Sequence, residues 1–291
     1  MNLLFEAEFQ RYLSMVEQFI GRLPWNQDVL SQGMRYSLIG GGKRIRPVLA
    51  LAAAETVGGD AESILPAAVS LELIHTYSLI HDDLPAMDDD DFRRGKPANH
   101  KVFGEANAIL AGDALLTFAF ELLADPGIGR PEKQLRVVRE VAAAVGKDGM
   151  VGGQAADIAG EGKTLNLDDI KMINRGKTGA LLTAASRLGG ILAGAGEGQI
   201  EVLTAYAESL GLAFQIKDDI LDVIGNSETL GKPTGSDARQ SKSNYVTVLG
   251  LDGAQRRLRE QILHAADALE PFGEQAAFLR ELAFFIEQRQ H

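Results

Sequence analysis

The chain has 291 residues, 45% of them apolar, which is enough for a substantial buried core, and a formal net charge of −11. That charge argues against nucleic acid as a general partner, and it repels an anionic substrate unless bound cations or a local basic pocket reverse the field. The absence of cysteine removes disulfides, thiol nucleophiles and cysteine metal sites, and it fits a reducing, cytoplasmic location.

Nearly every segment carries the 3.6-residue period and few carry alternation, so the chain reads as all-α. The first predicted helix, 2–22, sets Phe5, Phe9, Tyr12, Val16 and Phe19 at helical spacing, continued by Leu23, with Glu6, Glu8, Arg11 and Glu17 between them. This is an amphipathic helix rather than an export signal. Helices are then predicted over 26–39, 44–57, 61–84, 105–124, 131–147, 167–193, 198–225, 241–250, 252–268 and 273–289. Gly58-Gly59-Asp60, Asp125-Pro126-Gly127, Gly152-Gly153 and Gly231-Lys232-Pro233 are breakers, and Asp60 and Asn166 suit N-caps. The segments 107–120 and 178–193 are apolar nearly all round and are expected at the centre. No apolar run is read as long enough to span a membrane, so no stable membrane insertion is expected. Without a linker, repeat or compositional shift, residues 1–291 are expected to form one domain.

Between the second and third helices lies Gly40-Gly41-Gly42-Lys43-Arg44-Ile45-Arg46-Pro47. It offers glycines for close backbone approach and three cations for phosphate oxygens. It is not a nucleotide P-loop, because no Ser or Thr follows the lysine and no strand precedes it. Taken alone it reads equally well as a helix start with surface cations. His75 follows, two helical turns before Asp82 on the same face. Asp82, Asp83, Asp88, Asp89, Asp90 and Asp91 then place six carboxylates within ten residues, directly before Arg93-Arg94-Gly95.

Asp168-Asp169 serves as a contrast. It falls in the first turn of a helix, where the macrodipole favours acids, and carries no assigned function. The second cluster sets Gln215, Asp218 or Asp219, and Asp222 on one stripe of a largely apolar helix. Both clusters end apolar helical runs, where the dipole disfavours further negative charge. Asp82 with Asp88, and Asp218 with Asp222, can each offer two carboxylates to a hard cation. Two magnesium-binding clusters imply one phosphate-bearing substrate between them.

With these residues in order, the chain resembles the trans-isoprenyl diphosphate synthases, most closely the bacterial farnesyl diphosphate synthases, over essentially its whole length. The landmarks are Gly41 to Pro47, His75 to Asp88, Arg93-Arg94-Gly95-Lys96-Pro97, Gly112-Asp113, Gly152-Gly153-Gln154, Lys177-Thr178-Gly179, Phe214-Gln215 with the second cluster, Gly231-Lys232 and Lys242-Ser243. The resemblance implies helices around a deep central cavity, a homodimer, and Mg2+ (with Mn2+ as a substitute) bridging the two acidic motifs through an allylic diphosphate. It makes Asp82 and Asp88 the ligands of the first motif and Asp218 the principal ligand of the second, supported by Asp83, Asp219 and Asp222. It matches Arg93, Lys177, Thr178, Gln215, Lys232 and Lys242 to the allylic-substrate positions, and Lys43, Arg46, His75 and Arg94 to those for isopentenyl diphosphate.

The implied reaction condenses isopentenyl diphosphate with dimethylallyl and geranyl diphosphate to give farnesyl diphosphate. The resemblance also identifies Tyr77, the fifth residue before the first motif, as the cavity floor that limits chain length, whereas helical phase alone points better to Ser78. A geranylgeranyl diphosphate synthase shares every motif and remains the rival. A non-catalytic regulatory subunit is expected to have lost one aspartate motif, and a class I terpene cyclase to lack the Lys43, Arg46 and His75 site. The family's basic C-terminal tail is here Arg289-Gln290-His291, with one arginine and no lysine.

Overall fold

The structure, a computed structural model, describes residues 3–224 and 243–289. Its helices are α1 (Leu3–Arg22), α2 (Val29–Leu38), α3 (Ile45–Thr56), α4 (Leu65–Asp82), α5 (Asn99–Phe103), α6 (Glu105–Leu123), α7 (Pro131–Val145), α8 (Met150–Gly160), α9 (Leu167–Asn174), α10 (Ala180–Ala193), α11 (Glu197–Ile224), α12 (Tyr245–Ala268) and α13 (Ala277–Gln288). The only sheet among the described residues is a two-stranded hairpin, β1 (Phe92–Arg93) against β2 (Lys96–Pro97).

The all-α expectation holds, and the caps explain several boundaries. Asp60 accepts from the backbone of Glu62 and Ser63 before the turn that leads into α4. Asn166 and Asp169 form a reciprocal capping box at the start of α9, so the Asp168-Asp169 pair is indeed a helix-start feature. Two differences have local causes, and one expected break is found. Gly152-Gly153 reads as a breaker and predicts no helix over 150–160, yet the segment forms α8. The predicted helix 167–193 contains one wide π-turn, Arg175–Gly179, between α9 and α10. Gly250 takes φ 70° and interrupts α12 where a break between 250 and 252 was expected.

One apolar core runs through the described residues from Phe5 to Ile286. Its centre is α3, α4 and α10, each buried along most of its length. α3 and α10 touch backbone to backbone: a Cβ at Gly189 would lie 2.0 Å from the Ala50 carbonyl oxygen. α4 packs extensively against α6, and α11 against α12. Two helical stretches, Glu62–Asp82 and Glu105–Leu123, do pass as membrane spans by length and composition, contrary to the expectation from sequence. In the first, 72% of the apolar window is buried inside the protein, so its apolarity is that of a core helix.

The centre also holds a charge network. Arg44 was expected among the phosphate-facing cations, but its side chain is fully buried. It donates through Nε to Glu17 at 2.7 Å and through Nη1 to Glu72 at 2.8 Å, and through Nη2 to the Leu38 carbonyl at 2.6 Å. The left-handed backbone at Arg44, φ 51°, turns the side chain inward and sends its neighbours Lys43 and Arg46 elsewhere. Removing one partner of such a buried pair typically costs about 3–5 kcal/mol, so Arg44 ties α1, α2, α3 and α4 together under the basic loop.

Candidate active site

The first acidic motif is built by a loop that folds back on the end of α4. The amide of Asp88 donates to the Asp82 carbonyl at 2.9 Å and that of Asp89 to the Leu84 carbonyl at 3.1 Å, with Asp89 in the left-handed region at φ 51°. Two aspartates six positions apart therefore stand side by side. Burial first, then the Asp88 and Asp83 carboxylates, hold the Asp82 carboxyl up to about 6, against the pull of Lys177 and Arg93. Asp83 is turned to a different partner. It accepts from Arg93 Nε at 2.8 Å, and the same guanidinium reaches Asp90 at 3.1 Å.

The second motif lies in the last turns of α11 and its residues divide their tasks. Asp219 is 4% exposed and both its oxygens are taken, by Gln215 Nε2 at 3.0 Å and by the Tyr245 amide at 2.8 Å. Asp222 is buried beside it along the helix. Asp218 is the more open carboxylate and forms an ion pair with Arg289, which follows α13. The Arg289 guanidinium also lies 4.0 Å over the Phe214 ring and donates to the Phe214 carbonyl at 3.0 Å.

The π-turn joins the two motifs. Lys177 Nζ is 2.7 Å from Asp157 of α8 and its charge bears on Asp82, while Thr178 Oγ1 donates to Gln215 Oε1 of α11 at 3.1 Å. Asp157 was not singled out from the sequence. Its signal was available in the helical spacing from Gln154, whose buried amide N and O have no partner among the described residues.

Opposite the carboxylates stands the basic pole. Arg94 and Gly95 are the two central residues of the hairpin turn, at φ 54° and 73°, as a type I′ turn requires. Arg94 bonds the Gly41 carbonyl and lies 3.9 Å from Glu72. Burial first, then Arg46, Arg94 and Arg93, push the His75 imidazole well below its ordinary range, so it stays neutral and can both donate and accept. Burial and Arg94 also push Arg46 down, while Glu72 and Asp218 pull the other way. Lys43 is pushed down to about 8, by burial and then by the Arg289 cation, against Asp218.

The structure thus brings Lys43, Arg46, His75 and Arg94 into a basic cluster that feels both Arg93 and Asp218, sets Asp82, Asp83, Asp88, Arg93 and Lys177 about the first motif, and sets Thr178, Gln215, Asp219 and Asp222 with Asp218 about the second. Lys232 and Lys242 lie outside the described residues, as do Gln290 and His291. Tyr77 is 6% exposed and meets His81 edge-on at 5.7 Å between ring centres, and His81 Nε2 lies 3.0 Å from the Ile109 carbonyl of α6. Ser78 is less buried and donates back to the His75 carbonyl at 2.9 Å.

Comparison with known proteins places this geometry. The profile of the family described as polyprenyl synthetase matches residues 27–275. A farnesyl diphosphate synthase of Geobacillus stearothermophilus is 49% identical over 264 residues, 90% of this chain and 89% of the relative. The heterodimeric geranylgeranyl pyrophosphate synthase large subunit 1, chloroplastic, of Arabidopsis thaliana is 48% identical over 90% of this chain and 72% of the relative. Among solved structures, an FPP/GFPP synthase from Zymomonas mobilis superposes with a TM-score of 0.89 at 38% identity, covering 98% of this chain and all of that one.

The lowered value at Lys43 carries a prediction. The folded-state value, about 8, lies below the ordinary 10.5, so the unfolded chain binds more protons between these two values. The penalty of holding the charged form is then present below about pH 8 and relieved as pH rises. An anion beside Lys43 favours the ammonium and reverses the shift. Binding of inorganic pyrophosphate near pH 8.5 is therefore expected to take up protons and to weaken at still higher pH. Calorimetry in two buffers of different ionisation enthalpy reads the uptake, which Lys43→Met should abolish; a wild type that takes up none places Lys43 away from the anion.

Proposed function

The chain belongs to the polyprenyl synthetase family, and on that footing we propose that it condenses isopentenyl diphosphate with dimethylallyl and then geranyl diphosphate to give farnesyl diphosphate. The observation that carries the reading is the pairing of two carboxylate motifs with a basic cluster around Arg46, His75 and Arg94. Two diphosphates, one held with metal and one without, need such a pairing. Similarity to several bacterial farnesyl diphosphate synthases supports the fifteen-carbon product, geranylgeranyl pyrophosphate synthases of similar identity make the twenty-carbon product the alternative, and the retention of both acidic motifs opposes a non-catalytic subunit.

The donor set suits Mg2+, or Mn2+ in its place. It is all oxygen, and the Asp82 carboxyl, raised to about 6, is a group that a nearby cation would hold ionised. Among the described residues no three acidic or imidazole groups form a metal cluster on their own. Magnesium takes one or two carboxylates and completes its shell with water and substrate phosphate. We assign Asp82, Asp88 and Asp218 to this role. Bound there, the metal supplies Lewis-acid neutralisation of the diphosphate.

The protein's own groups do the rest. Lys177, fixed by Asp157, and Arg93, fixed by Asp83 and Asp90, present cations to the departing pyrophosphate without reorganising, which is where electrostatic catalysis gains most. Lys232 and Lys242 are assigned to the same end. Thr178 and Gln215 turn oxygen dipoles toward the developing carbocation. Lys43, Arg46, Arg94 and the neutral His75 hold isopentenyl diphosphate so that its double bond faces that cation, a contribution of proximity. No side chain is assigned as general base; the departing pyrophosphate accepts the final proton.

A second copy of the chain is the proposed partner. Val102 of α5 and Ile109 and Leu110 of α6 are 46%, 44% and 54% exposed, exposed apolar side chains on two successive helices, the second of which packs on α4. The cytoplasm is the proposed location.

Three outcomes follow. Asp82→Ala and Asp218→Ala should each lower kcat by at least about 10²-fold with the fold intact, the scale of losing one preorganised electrostatic group; near wild-type turnover of either, or full turnover in excess chelator, would overturn the metal assignment. Tyr77→Ala should shift the products toward twenty carbons, read by chromatography of the dephosphorylated alcohols, whereas an unchanged fifteen-carbon profile removes Tyr77 from the floor. Leu110→Glu should halve the mass measured by light scattering, and an unchanged mass would rule out the α6 interface.

A further inference from the structure

The π-turn Arg175–Gly179 is held by its edges rather than from behind. At its back opens a cavity of about 1040 Å³ whose lining includes Gly176, Gly179, Thr183 and Leu212. The turn meets its two flanking helices through glycine. On the α8 side, a Cβ at Gly153 would lie 2.2 Å from the Lys177 amide nitrogen and 2.7 Å from the Gly176 carbonyl carbon, and a Cβ at Gly176 would lie 3.0 Å from the Gly149 carbonyl oxygen. On the α11 side, a Cβ at Gly211 would lie 3.0 Å from the Gly179 Cα. None of Gly153, Gly176 or Gly211 has positive φ, so at these three positions space, and not backbone conformation, opposes a side chain.

Each flanking glycine lies one helical turn before the residue that binds the turn's functional side chain. Gly153 precedes Asp157, the partner of Lys177 at 2.7 Å, by four residues. Gly211 precedes Gln215, the partner of Thr178 at 3.1 Å, by the same four. A helix repeats its face every 3.6 residues, so contact and partner share one face on both helices. The geometry points to a role for Gly153 and Gly211 as positioning residues. By letting α8 and α11 touch the turn backbone to backbone, they set the distance at which Asp157 meets Lys177 and Gln215 meets Thr178. A Cβ at Gly153 would drive α8 away by about 1 Å to restore ordinary contact, a displacement that the open cavity behind the turn also leaves the turn free to absorb. Either movement separates Lys177 from Asp157.

This rests on the reading of Lys177 as a ligand of the allylic diphosphate. The test is calorimetry with magnesium and inorganic pyrophosphate on Gly153→Ala, Lys177→Ala, Lys43→Ala and the two doubles that contain Gly153→Ala, with circular dichroism and the melting temperature reporting the fold. Gly153→Ala should weaken binding by about tenfold or more, the range of one hydrogen bond to a charged group. In the Lys177→Ala background it should add nothing, whereas with Lys43→Ala, at the other pole, the two losses should multiply. A general destabilisation would multiply in both backgrounds and would overturn the inference, as would a folded Gly153→Ala protein with wild-type affinity.

Should Gly153→Ala fail to fold, Gly211→Ala, with its milder contact, takes its place against Thr178→Val under the same criteria. Turnover of the wild type separates this inference from the functional reading. Coupling between Gly153 and Lys177 in a wild type that makes no isoprenoid product leaves the positioning role standing and refutes the activity. A productive wild type with multiplying losses does the reverse.

Discussion

Like charges held together at the end of a core helix organise this protein. Asp82 stands beside Asp88 and near Asp83 at the end of an apolar helix, and its carboxyl is held up to about 6 in consequence. Burial and like-charge repulsion both disfavour the ionised form, and a chain of net charge −11 offers no general relief. Relief has to come from cations placed by the fold. Lys177 and Arg93 are such cations, and each is itself held by another acid, Asp157 and Asp83. The result is an alternating lattice of charge, which Arg289 extends to Asp218 on α11.

The architecture serves that lattice by bringing element ends together. α4 and α11 deliver carboxylates at their C-terminal turns, where the helix dipole makes an added cation most welcome. α3 delivers Lys43 and Arg46 at its start. Arg44 lies between them and points the other way, into Glu17 and Glu72, so that one short basic run both builds the core and lines the site. The hairpin contributes Arg93 from β1 to Asp83 and Asp90, and Arg94 from its turn, where a left-handed φ of 54° directs the guanidinium to the Gly41 carbonyl instead.

Much of this could be read from the sequence, and the rest could not, for physical reasons. The long amphipathic helices and both aspartate clusters are local patterns, and local patterns survive folding. Glycine is ambiguous: Gly152-Gly153 reads as punctuation, but at α8 it is a packing surface, and only the identity of what it packs on distinguishes the two. Two-residue strands carry no period to detect, so β1 and β2 went unseen until Arg94-Gly95 showed its positive φ values. Arg44 and Arg46 have the same chemistry at a spacing of two, and only a backbone dihedral at Arg44 separates a core residue from a site residue. Glu72 was the available warning: an acid in the middle of a buried apolar run demands a cation, and Arg44 supplies it.

Among the described residues three non-glycine positions occupy the left-handed region, Arg44, Asp89 and Arg94, and all three border the site. Such backbone costs on the order of 1 kcal/mol or more at each position, a debt the rest of the core has to carry. A laboratory search for heat resistance that selected on durability alone would be drawn to Asp89 and Arg94, where glycine or asparagine relaxes the chain. It would return sturdier proteins with a loosened acidic loop and one guanidinium fewer at the basic pole. Durability and turnover are therefore coupled through the same few dihedral angles, and improving both together requires stabilising changes placed elsewhere in the bundle.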